Sequence, residues 1–544
     1  MKCPSSRSIV RTMKKWTVVA LLALAQFVMV LDSTVMNVSI STVVKDLGTT
    51  IASMQMAITF YTLTMASFML LGGKLGDVWG RKRAFLIGSV VYACGSLITG
   101  LSGSIGMLMF GWSLVEGLGA VLVIPAIAAL IATNYKGKDR VVAFAIIGGV
   151  SGAAAAAGPL IGGYVTTYLS WRYVFFAEVA IMALVVLLSG KIKDAPLTKK
   201  ARIDVPSVLL SAGGFFLVIF GMLQSKTWGW ITPRAIPTIN GNEIAPLGIS
   251  IVAYLILAGI IVLRAFYHRQ QRLEASGSDP LLKVSMLSIP RLRSGLSVLA
   301  SQYMITAAVF FVIPVYLQMT LGYDALETGL KILPLSAAVI IFSVLGTKLS
   351  ASWSPRKIVR TGQVLLIGGS ILLLGAVSID LKSWLFAVGM FLLGAGLGLL
   401  ASQLGNVNMS SVNEKQTAEV GGLQGVSQNL GASLGTALIG SVLVASLTTA
   451  FVGNIQSGNL PDNIKSYVQT NSQAGVEIVP VSEVTSYTTS LGLPANQVEQ
   501  ITNDYADSQI TALKQSLFAI VFLAIMTLLF SRNIPSKLSS KSND

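Results

Sequence analysis

The feature that most constrains this chain is a series of fourteen apolar runs, each about 20 residues long. Twenty helical residues rise about 30 Å, which is the thickness of the hydrocarbon core of a bilayer. Each run therefore predicts one membrane-spanning helix, and the predicted fold is an all-α integral membrane protein. The predicted helices 1 to 14 cover residues 16–38, 52–72, 84–102, 106–132, 141–165, 171–190, 205–224, 245–266, 294–317, 329–350, 360–379, 383–402, 420–446 and 513–531.

The composition excludes a soluble protein of this size. Of the 544 residues, 53% are hydrophobic and only 11% are charged, whereas about 25% of the residues of a soluble domain are charged. Two cysteines, Cys3 and Cys94, and one histidine, His268, are too few to predict a disulfide framework or a thiolate metal site. We therefore expect no metal and no cofactor.

The positions of the basic residues predict the orientation of the helices. If the N-terminus lies inside, 31 of the 39 Lys and Arg residues fall in inner segments and only 8 in outer ones. Both termini are thus predicted to be cytoplasmic, in the cell membrane. The basic charge is explained by this orientation, so we expect no nucleic-acid partner.

A weak internal repeat predicts the domain organisation. Residues 74–82, after helix 2, are similar to residues 348–357, after helix 10. Parallel repeats that flank a central site are common in secondary transporters, and this pairing leaves helices 7 and 8 as an insert. The predicted units are a tail (1–15), a six-helix bundle (16–190), the insert with basic inner loops (191–293), a second six-helix bundle (294–531) and a tail (532–544).

The outer loop 447–512 is unusually long. Its pattern from Pro494 to Lys514 is roughly amphipathic and runs into helix 14. We interpret this part as a helical extension or hairpin. The alternative is a disordered loop.

Three carboxylates lie inside predicted spans, and the one basic residue of those spans, Arg172, lies at the outer end of helix 6. Asp32 is in helix 1, Glu116 in helix 4 and Glu178 in helix 6. An acid in the hydrocarbon region costs on the order of 2.5–3.5 kcal/mol, so it should face a cavity or a partner. The three acids predict a site for protons, lipophilic cations or both. Alternatively, Asp32 caps the outer end of its helix, and Glu178 pairs with Arg172.

Two glycine-rich segments predict close contacts or turns. In the loop from Gly73 to Arg83, the glycines permit a tight turn or a close helix approach, and an acid and a base lie among them; an ordinary basic inner loop is the alternative. In helix 5, small residues four apart let helix backbones touch, which suggests a sealed interface and a pivot. The candidate residues of the loop are Gly73, Asp77, Gly80 and Arg81, and those of helix 5 are Gly158, Pro159, Gly162 and Gly163.

Nothing in the sequence predicts an enzyme. The phosphate-binding pattern G-x-x-x-x-G-K-[ST] is absent, so ATP hydrolysis by this chain is not expected. No nucleophile–base pair stands out.

Taken together, the motifs resemble the major facilitator superfamily, and within it the fourteen-helix drug:proton antiporters of the QacA/EmrB-like group. Residues 31–38 are similar to the helix 1 signature of that group. Residues 73–83 resemble the superfamily's loop motif, and residues 158–163 resemble its antiporter motif. The resemblance implies the major facilitator fold, two six-helix repeats plus two inserted helices. It also implies that Asp77 and Arg81 lock the outward-facing state.

The chain departs from this family at three positions. Ser113 stands where the family usually has an arginine in helix 4, Glu116 where it has a glutamine, and Glu178 where it has an asparagine. The added acids could replace the arginine in the proton relay, or could tune the cavity toward cationic cargo.

The resulting expectation is a monomeric, proton-driven exporter of small amphipathic, cationic compounds that works by alternating access. The proton gradient would supply the energy, and helices 1, 2, 4 and 5 with 9, 10, 12 and 13 would line the cavity. Protonation of Asp32 or Glu116 would lower the affinity for a cationic substrate. One alternative is an exporter of an endogenous metabolite, lipid or peptide-like compound. Another is a membrane sensor or scaffold that uses the loop 447–512.

Overall fold

The computed structural model describes residues 6–135, 137–194, 203–234, 236, 238–239, 242–243, 245–412, 416–472 and 475–536. Parts of the two predicted tails, residues 1–5 and 537–544, lie outside the described residues. Within the described ranges, fourteen helices are long and apolar enough to cross a membrane. The predicted all-α membrane fold is therefore confirmed.

We number the helices α1 to α16 in chain order, and α14 and α15 are short helices between the last two spans. The fourteen long helices are α1 (Ser6–Asp46), α2 (Ile51–Trp79), α3 (Arg81–Gly100), α4 (Ile105–Asn134), α5 (Gly137–Tyr168), α6 (Arg172–Leu188), α7 (Val205–Trp228), α8 (Ile251–Ala275), α9 (Pro290–Val315), α10 (Ala325–Leu349), α11 (Pro355–Ala376), α12 (Ser383–Met409), α13 (Thr417–Ser457) and α16 (Ala495–Phe530).

The remaining elements are short. Two-residue antiparallel strands, β1 and β2, lie in the connection between α7 and α8. π-Helical turns occur within α4 and after α9. These elements are α14 (Asp462–Asn471), α15 (Val481–Ser490), β1 (Thr238–Ile239), β2 (Asn242–Glu243), π-helical Met109–Glu116 and Tyr316–Thr320, and 3-10 turns Ser189–Lys191, Pro246–Gly248, Val284–Ser288 and Ser531–Asn533.

The segment predicted as a loop after helix 2 is mostly helical, so that expectation was wrong. Helix α2 continues through Gly73 and Asp77 to Trp79, and the chain breaks only at Gly80, whose φ of 95° is rarely adopted by other residues. The helix continues because Leu75 and Val78 extend its apolar pattern beyond the uncharged run. Across the break, Arg81 lies 3.5 Å from Asp77.

Two separate apolar cores organise the long helices. The largest described cluster of buried side chains draws only on residues 298–534, and the second draws on residues 18–192. Helix α7 packs against α8, and it also contacts α2 and α13. The division into two repeats and an insert stays a prediction, since these contacts do not test the internal symmetry.

A bidentate ion pair joins the two inserted helices. Asp204 caps α7, and Arg269 of α8 donates to both of its carboxylate oxygens at 2.7 Å. The hydrogen bond from Arg269 holds the pKa of Asp204 well below its usual range. The pair fixes α8 against the start of α7.

The connection between α8 and α9, residues 276–289, ties α2 to α13. We call it the crossing segment. Lys74 of α2 contacts Asp279 at 2.8 Å and donates to the carbonyl oxygen of Pro280 at 2.9 Å. Four residues further on, Lys283 contacts Glu419 of α13 at 2.9 Å. The two ion pairs thus hold one segment against both α2 and α13.

We expect Lys74 and Lys283, the two lysines of these ion pairs, to contribute unequally to stability. The Lys74 side chain is 7% exposed and that of Lys283 is 36% exposed. Lys74→Met leaves a buried carbonyl without its donor, so we expect a loss of about 1–3 kcal/mol. Lys283→Met removes a more exposed pair, worth about 0–1 kcal/mol. Thermal unfolding of the two purified variants measures the difference, and equal midpoints would contradict this ranking.

The predicted helical extension in the loop 447–512 is confirmed. Helix α16 begins at Ala495, and α13 continues to Ser457. The Tyr505 hydroxyl of α16 donates to the Glu477 carbonyl oxygen at 2.8 Å and accepts from the Val479 N–H at 3.0 Å. The part of the loop that contains Glu477 and Val479 is therefore hydrogen-bonded to the helical extension.

Candidate functional site

The three predicted acids converge on one point inside the helical bundle. Asp32 of α1, Glu116 of α4 and Glu178 of α6 each place a carboxylate oxygen within 4.8 Å of the other two. Their side chains are 1%, 0% and 1% exposed, respectively. We call these three residues the acid cluster. The sequence predicted the residues, and the structure brings them together.

An indole donor holds the first of these acids. The Trp112 Nε1–H lies 2.9 Å from both carboxylate oxygens of Asp32. The Trp112 ring stacks on Tyr61 of α2, with the ring centroids 5.0 Å apart and the planes 9° from parallel. This stack fixes the direction of the donor. Asp32 lies fourteen residues before α1 ends at Asp46, so it does not cap the helix, and that alternative is wrong.

A serine hydroxyl bridges the other two acids. Ser96 Oγ of α3 lies 2.9 Å from Glu116 Oε2 and 3.2 Å from Glu178 Oε2. One hydroxyl carries one hydrogen, so it can donate to only one carboxylate at a time. The bridge therefore accommodates a proton on one of the two glutamates.

Close backbone contact between α3 and α4 makes this bridge possible. A Cβ atom on Gly95 would lie 2.5 Å from the Glu116 backbone nitrogen, and one on Gly119 would lie 2.5 Å from that of Tyr92. The two glycines thus let the helices touch. The π-helical turn Met109–Glu116 ends at the acid itself, and such turns are frequent at functional sites.

Four oxygen atoms at this point have no hydrogen-bond partner among the described residues. They are Glu116 Oε1, Glu178 Oε1 and the hydroxyls of Tyr61 and Tyr92. No Lys or Arg occurs within residues 16–44, 51–73, 84–134 or 173–190, which supply the surrounding spans. Unpaired negative charges in hydrocarbon are costly. The carboxylates must therefore be neutralised by protons or by a bound cation.

The predicted alternative for Glu178, a pair with Arg172, is wrong. Arg172 pairs with Asp46 at the end of α1, and it also donates to the Ser102 carbonyl oxygen at 2.8 Å. Hydrogen bonds from Arg172 and Trp171 lower the pKa of Asp46, which lies outside the span. Glu178 lies about two turns deeper along α6 and faces Ser96 instead.

A separate cavity of about 170 Å³ lies between the two apolar cores, near the end of the bundle where α1 begins its span. We call that end the tail end, and the opposite end, which carries residues 458–494, the loop end. The lining includes the amide side chains Gln26, Gln302, Gln403, Gln424 and Gln428.

The lining differs from the prediction in two ways. Helices α1, α4, α5, α9, α10, α12 and α13 line the cavity as expected, but helix 2 supplies none of its described lining residues. Those residues also include no charged side chain, so the acids do not line the cavity. Asp32 lies six residues, about 9 Å, beyond Gln26 along α1.

The predicted antiporter motif lies in close contact with two helices at the loop end. A Cβ on Gly163 would lie 2.6 Å from the Ala325 carbonyl oxygen of α10, and one on Gly329 would lie 2.6 Å from that of Pro159. Gly162 approaches Val35 of α1 in the same way, and Gly158 approaches Thr34. Helices α5 and α10 thus touch at this end, and the role of the motif as a sealed interface and a pivot stays a prediction.

The sequence profile of the Major Facilitator Superfamily matches residues 22–436. The chain belongs to the major facilitator superfamily. It is therefore a multi-pass membrane protein that transports small molecules.

Relatives of this superfamily member carry the names of transporters and resistance proteins. The chain is 28% identical over 82% of its length to the "Probable actinorhodin transporter" of Streptomyces coelicolor, covering 75% of that protein. It is 29% identical over 78% of its length to the "Puromycin resistance protein pur8" of Streptomyces alboniger, covering 81% of it. It is 25% identical over 82% of its length to the "Multidrug resistance protein Stp" of Mycobacterium tuberculosis, covering 79% of it.

Solved structures agree with the fold of this superfamily member. A bacterial homologue of the human lysosomal transporter Spinster matches 95% of the chain and 97% of its own, with a TM-score of 0.56 and 15% identity. The human organic anion transporter MFSD10 matches 94% of the chain and 99% of its own, with a TM-score of 0.54 and 11% identity. At these identities the match concerns the fold alone.

Four residues of the site were missed by sequence reasoning. Trp112 lies one helical turn before Glu116, while Tyr92 and Ser96 lie one turn apart on α3; Tyr61 lies on α2. The i, i+4 spacing of Trp112 and Glu116 was a usable signal. Ser113, which stands at the position of the usual arginine, points away and donates to the Ala57 carbonyl oxygen at 2.7 Å.

Proposed function

We propose that this superfamily member is a proton-coupled exporter of small amphipathic compounds that works by alternating access. The observation that carries the proposal is the acid cluster, three buried carboxylates within 4.8 Å of one another, with no Lys or Arg in residues 16–44, 84–134 or 173–190 around them. Such a group releases and takes up protons as its surroundings change. The names of the relatives, which include antibiotic and multidrug resistance, support export as the direction.

Coupling in this proposal is indirect. The described cavity residues carry no acid, so a cationic substrate would not displace the proton by direct contact. Instead, α1 links the two sites, since it carries both Gln26 and Asp32. Protonation of Asp32 changes its bond to Trp112, and through α1 and α4 it biases the equilibrium between the two open states.

We further propose that the tail end faces the cytoplasm, as the basic residues predict. The cavity near that end and the contact of α5 with α10 at the loop end then correspond to an inward-facing arrangement. The protein would act as a monomer in the cell membrane, with no cofactor beyond the proton gradient.

Ethidium efflux from a pump-deficient host tests the proposal. We expect efflux to stop when a protonophore collapses the proton gradient, and Asp32→Asn to reduce it to the level of the host alone. Asp504→Asn, which removes an acid from α16 outside the cluster, is the matched control and should leave efflux intact. Unchanged efflux without the gradient would refute proton coupling, and full activity of Asp32→Asn would refute the site.

A second candidate is the export of an uncharged polar product made by the cell. The amide-rich, charge-free lining of the cavity favours it, because glutamines donate and accept hydrogen bonds without selecting charge. A substrate panel in everted vesicles separates the candidates. Uptake of neutral polyphenolic or glycosidic compounds, with no uptake of ethidium, would favour the second.

A further inference from the structure

We propose that the acid cluster is a binding site for one dehydrated hard cation of the size of Na⁺ or Ca²⁺. This inference rests on the proposed function, since it names the ion that shares the coupling site. It differs from the expectation from the sequence, which was that the chain binds no metal.

The spacing of the donors fits such an ion. One carboxylate oxygen from each of Asp32, Glu116 and Glu178 lies within 4.8 Å of the other two. Ca²⁺ binds oxygen ligands at about 2.3–2.6 Å, so two ligands on opposite sides of the ion are about 4.6–5.2 Å apart. A single ion can therefore contact all three carboxylates without rearrangement of the helices.

Two phenol groups provide evidence that is independent of the acids. Tyr61 is 4% exposed and Tyr92 is 0% exposed, and neither hydroxyl has a hydrogen-bond partner. The Tyr61 hydroxyl lies near Asp32, and the Tyr92 hydroxyl lies near Glu116 and Glu178, but neither reaches hydrogen-bond geometry with these acids. A buried hydroxyl without a partner is uncommon and costly. Both would be satisfied as neutral oxygen ligands of an ion at the centre of the cluster.

The chemistry of the donor set selects the class of ion. Carboxylate, phenol and serine oxygens are hard ligands, and neither sulfur nor imidazole is present at the cluster. Mg²⁺ dehydrates reluctantly and keeps several waters. The side chains of the cluster are at most 1% exposed, which leaves little access for a hydrated ion. Na⁺ and Ca²⁺, which accept irregular all-protein coordination, fit better.

Protons and the cation would exclude each other. The titratable groups that face the centre from α1, α2, α3, α4 and α6 are Asp32, Tyr61, Tyr92, Glu116 and Glu178. No Lys or Arg occurs within residues 16–44, 51–73, 84–134 or 173–190 of the surrounding helices. Because carboxylates bind a metal only when deprotonated, acid should release the ion.

Equilibrium binding of radioactive Na⁺ and Ca²⁺ to the full chain in lipid nanodiscs tests the proposal. We expect saturable binding of at least one ion at alkaline pH, and its loss at acidic pH. Glu178→Gln should weaken binding at least about tenfold, and Asp504→Asn should not change it. Tyr92→Phe removes one hydroxyl but no charge, so it provides a second test if Glu178→Gln does not fold.

The outcomes separate this inference from the proposed function. Absence of saturable binding of either ion at alkaline pH would overturn the inference, as would wild-type affinity in both Glu178→Gln and Tyr92→Phe. If efflux still depends on the proton gradient in that case, the proposed function stands alone. Conversely, the protein could bind the ion while its efflux does not depend on the proton gradient. That result would support the ion site and refute proton coupling.

Discussion

Gly163→Ala and Gly329→Ala are each expected to reduce efflux at least about tenfold. The added Cβ would lie 2.6 Å from a carbonyl oxygen of the facing helix, Ala325 for the first variant and Pro159 for the second. A backbone atom cannot rotate away as a side chain can, so α5 and α10 must separate at the loop end. Overpacking of this kind costs about 1–3 kcal/mol. In the proposed alternating-access cycle this contact closes one end of the transporter, so the cost falls on the state that is closed there.

Gly149→Ala is the matched control for this prediction. Gly149 lies on the same helix, and its added Cβ would have Ser343 Oγ of α10, at 3.8 Å, as its nearest neighbour, which is an ordinary contact. We expect this variant to transport normally. Efflux rates, normalised to the amount of protein in the membrane, measure all three variants. Equal rates would show that the contact between the two helices does not limit the cycle.

The fold was predictable because hydrocarbon leaves few choices. A run of about 20 apolar residues must form a helix so that its backbone N–H and C=O groups are hydrogen-bonded within the membrane. The spans could therefore be predicted without knowledge of tertiary contacts. The helix ends could not be read in this way. Helix α2 continues from Gly73 to Trp79 beyond its uncharged run, and α13 continues to Ser457, because packing against neighbouring elements stabilises a helix beyond the apolar run that spans the membrane.

The site was predictable only as separate residues. A charge in an apolar run is conspicuous, so Asp32, Glu116 and Glu178 could each be found from the sequence. Their meeting could not, because it depends on the rotation of three helices about their axes. The π-helical turn that ends at Glu116 changes that rotation locally. The predicted pair of Arg172 with Glu178 was wrong for the same reason, since the actual partner, Asp46, is distant in sequence and close in space.

Trp112→Phe is expected to reduce efflux by about tenfold or more, even though it changes no titratable group. The variant keeps a ring that can stack on Tyr61 but loses the only N–H that contacts the Asp32 carboxylate among the hydrogen bonds of the described residues. A hydrogen bond to a charged group contributes about 1.5–3 kcal/mol. Since about 1.4 kcal/mol corresponds to a factor of ten, the ionised carboxylate should become about 10 to 100 times less populated.

Trp171→Phe provides the comparison that separates a lost donor from a lost ring. Trp171 also donates to an acid, Asp46, at 3.0 Å, but that acid is 42% exposed and keeps Arg172 as a partner. We therefore expect near-normal efflux from Trp171→Phe. In Trp112→Phe, the remaining efflux should also move to higher pH, because only the ionised form of Asp32 uses the lost bond to full strength. A lower rate with an unchanged pH profile would assign Trp112 a packing role, and would remove Asp32 from the proton-coupling step.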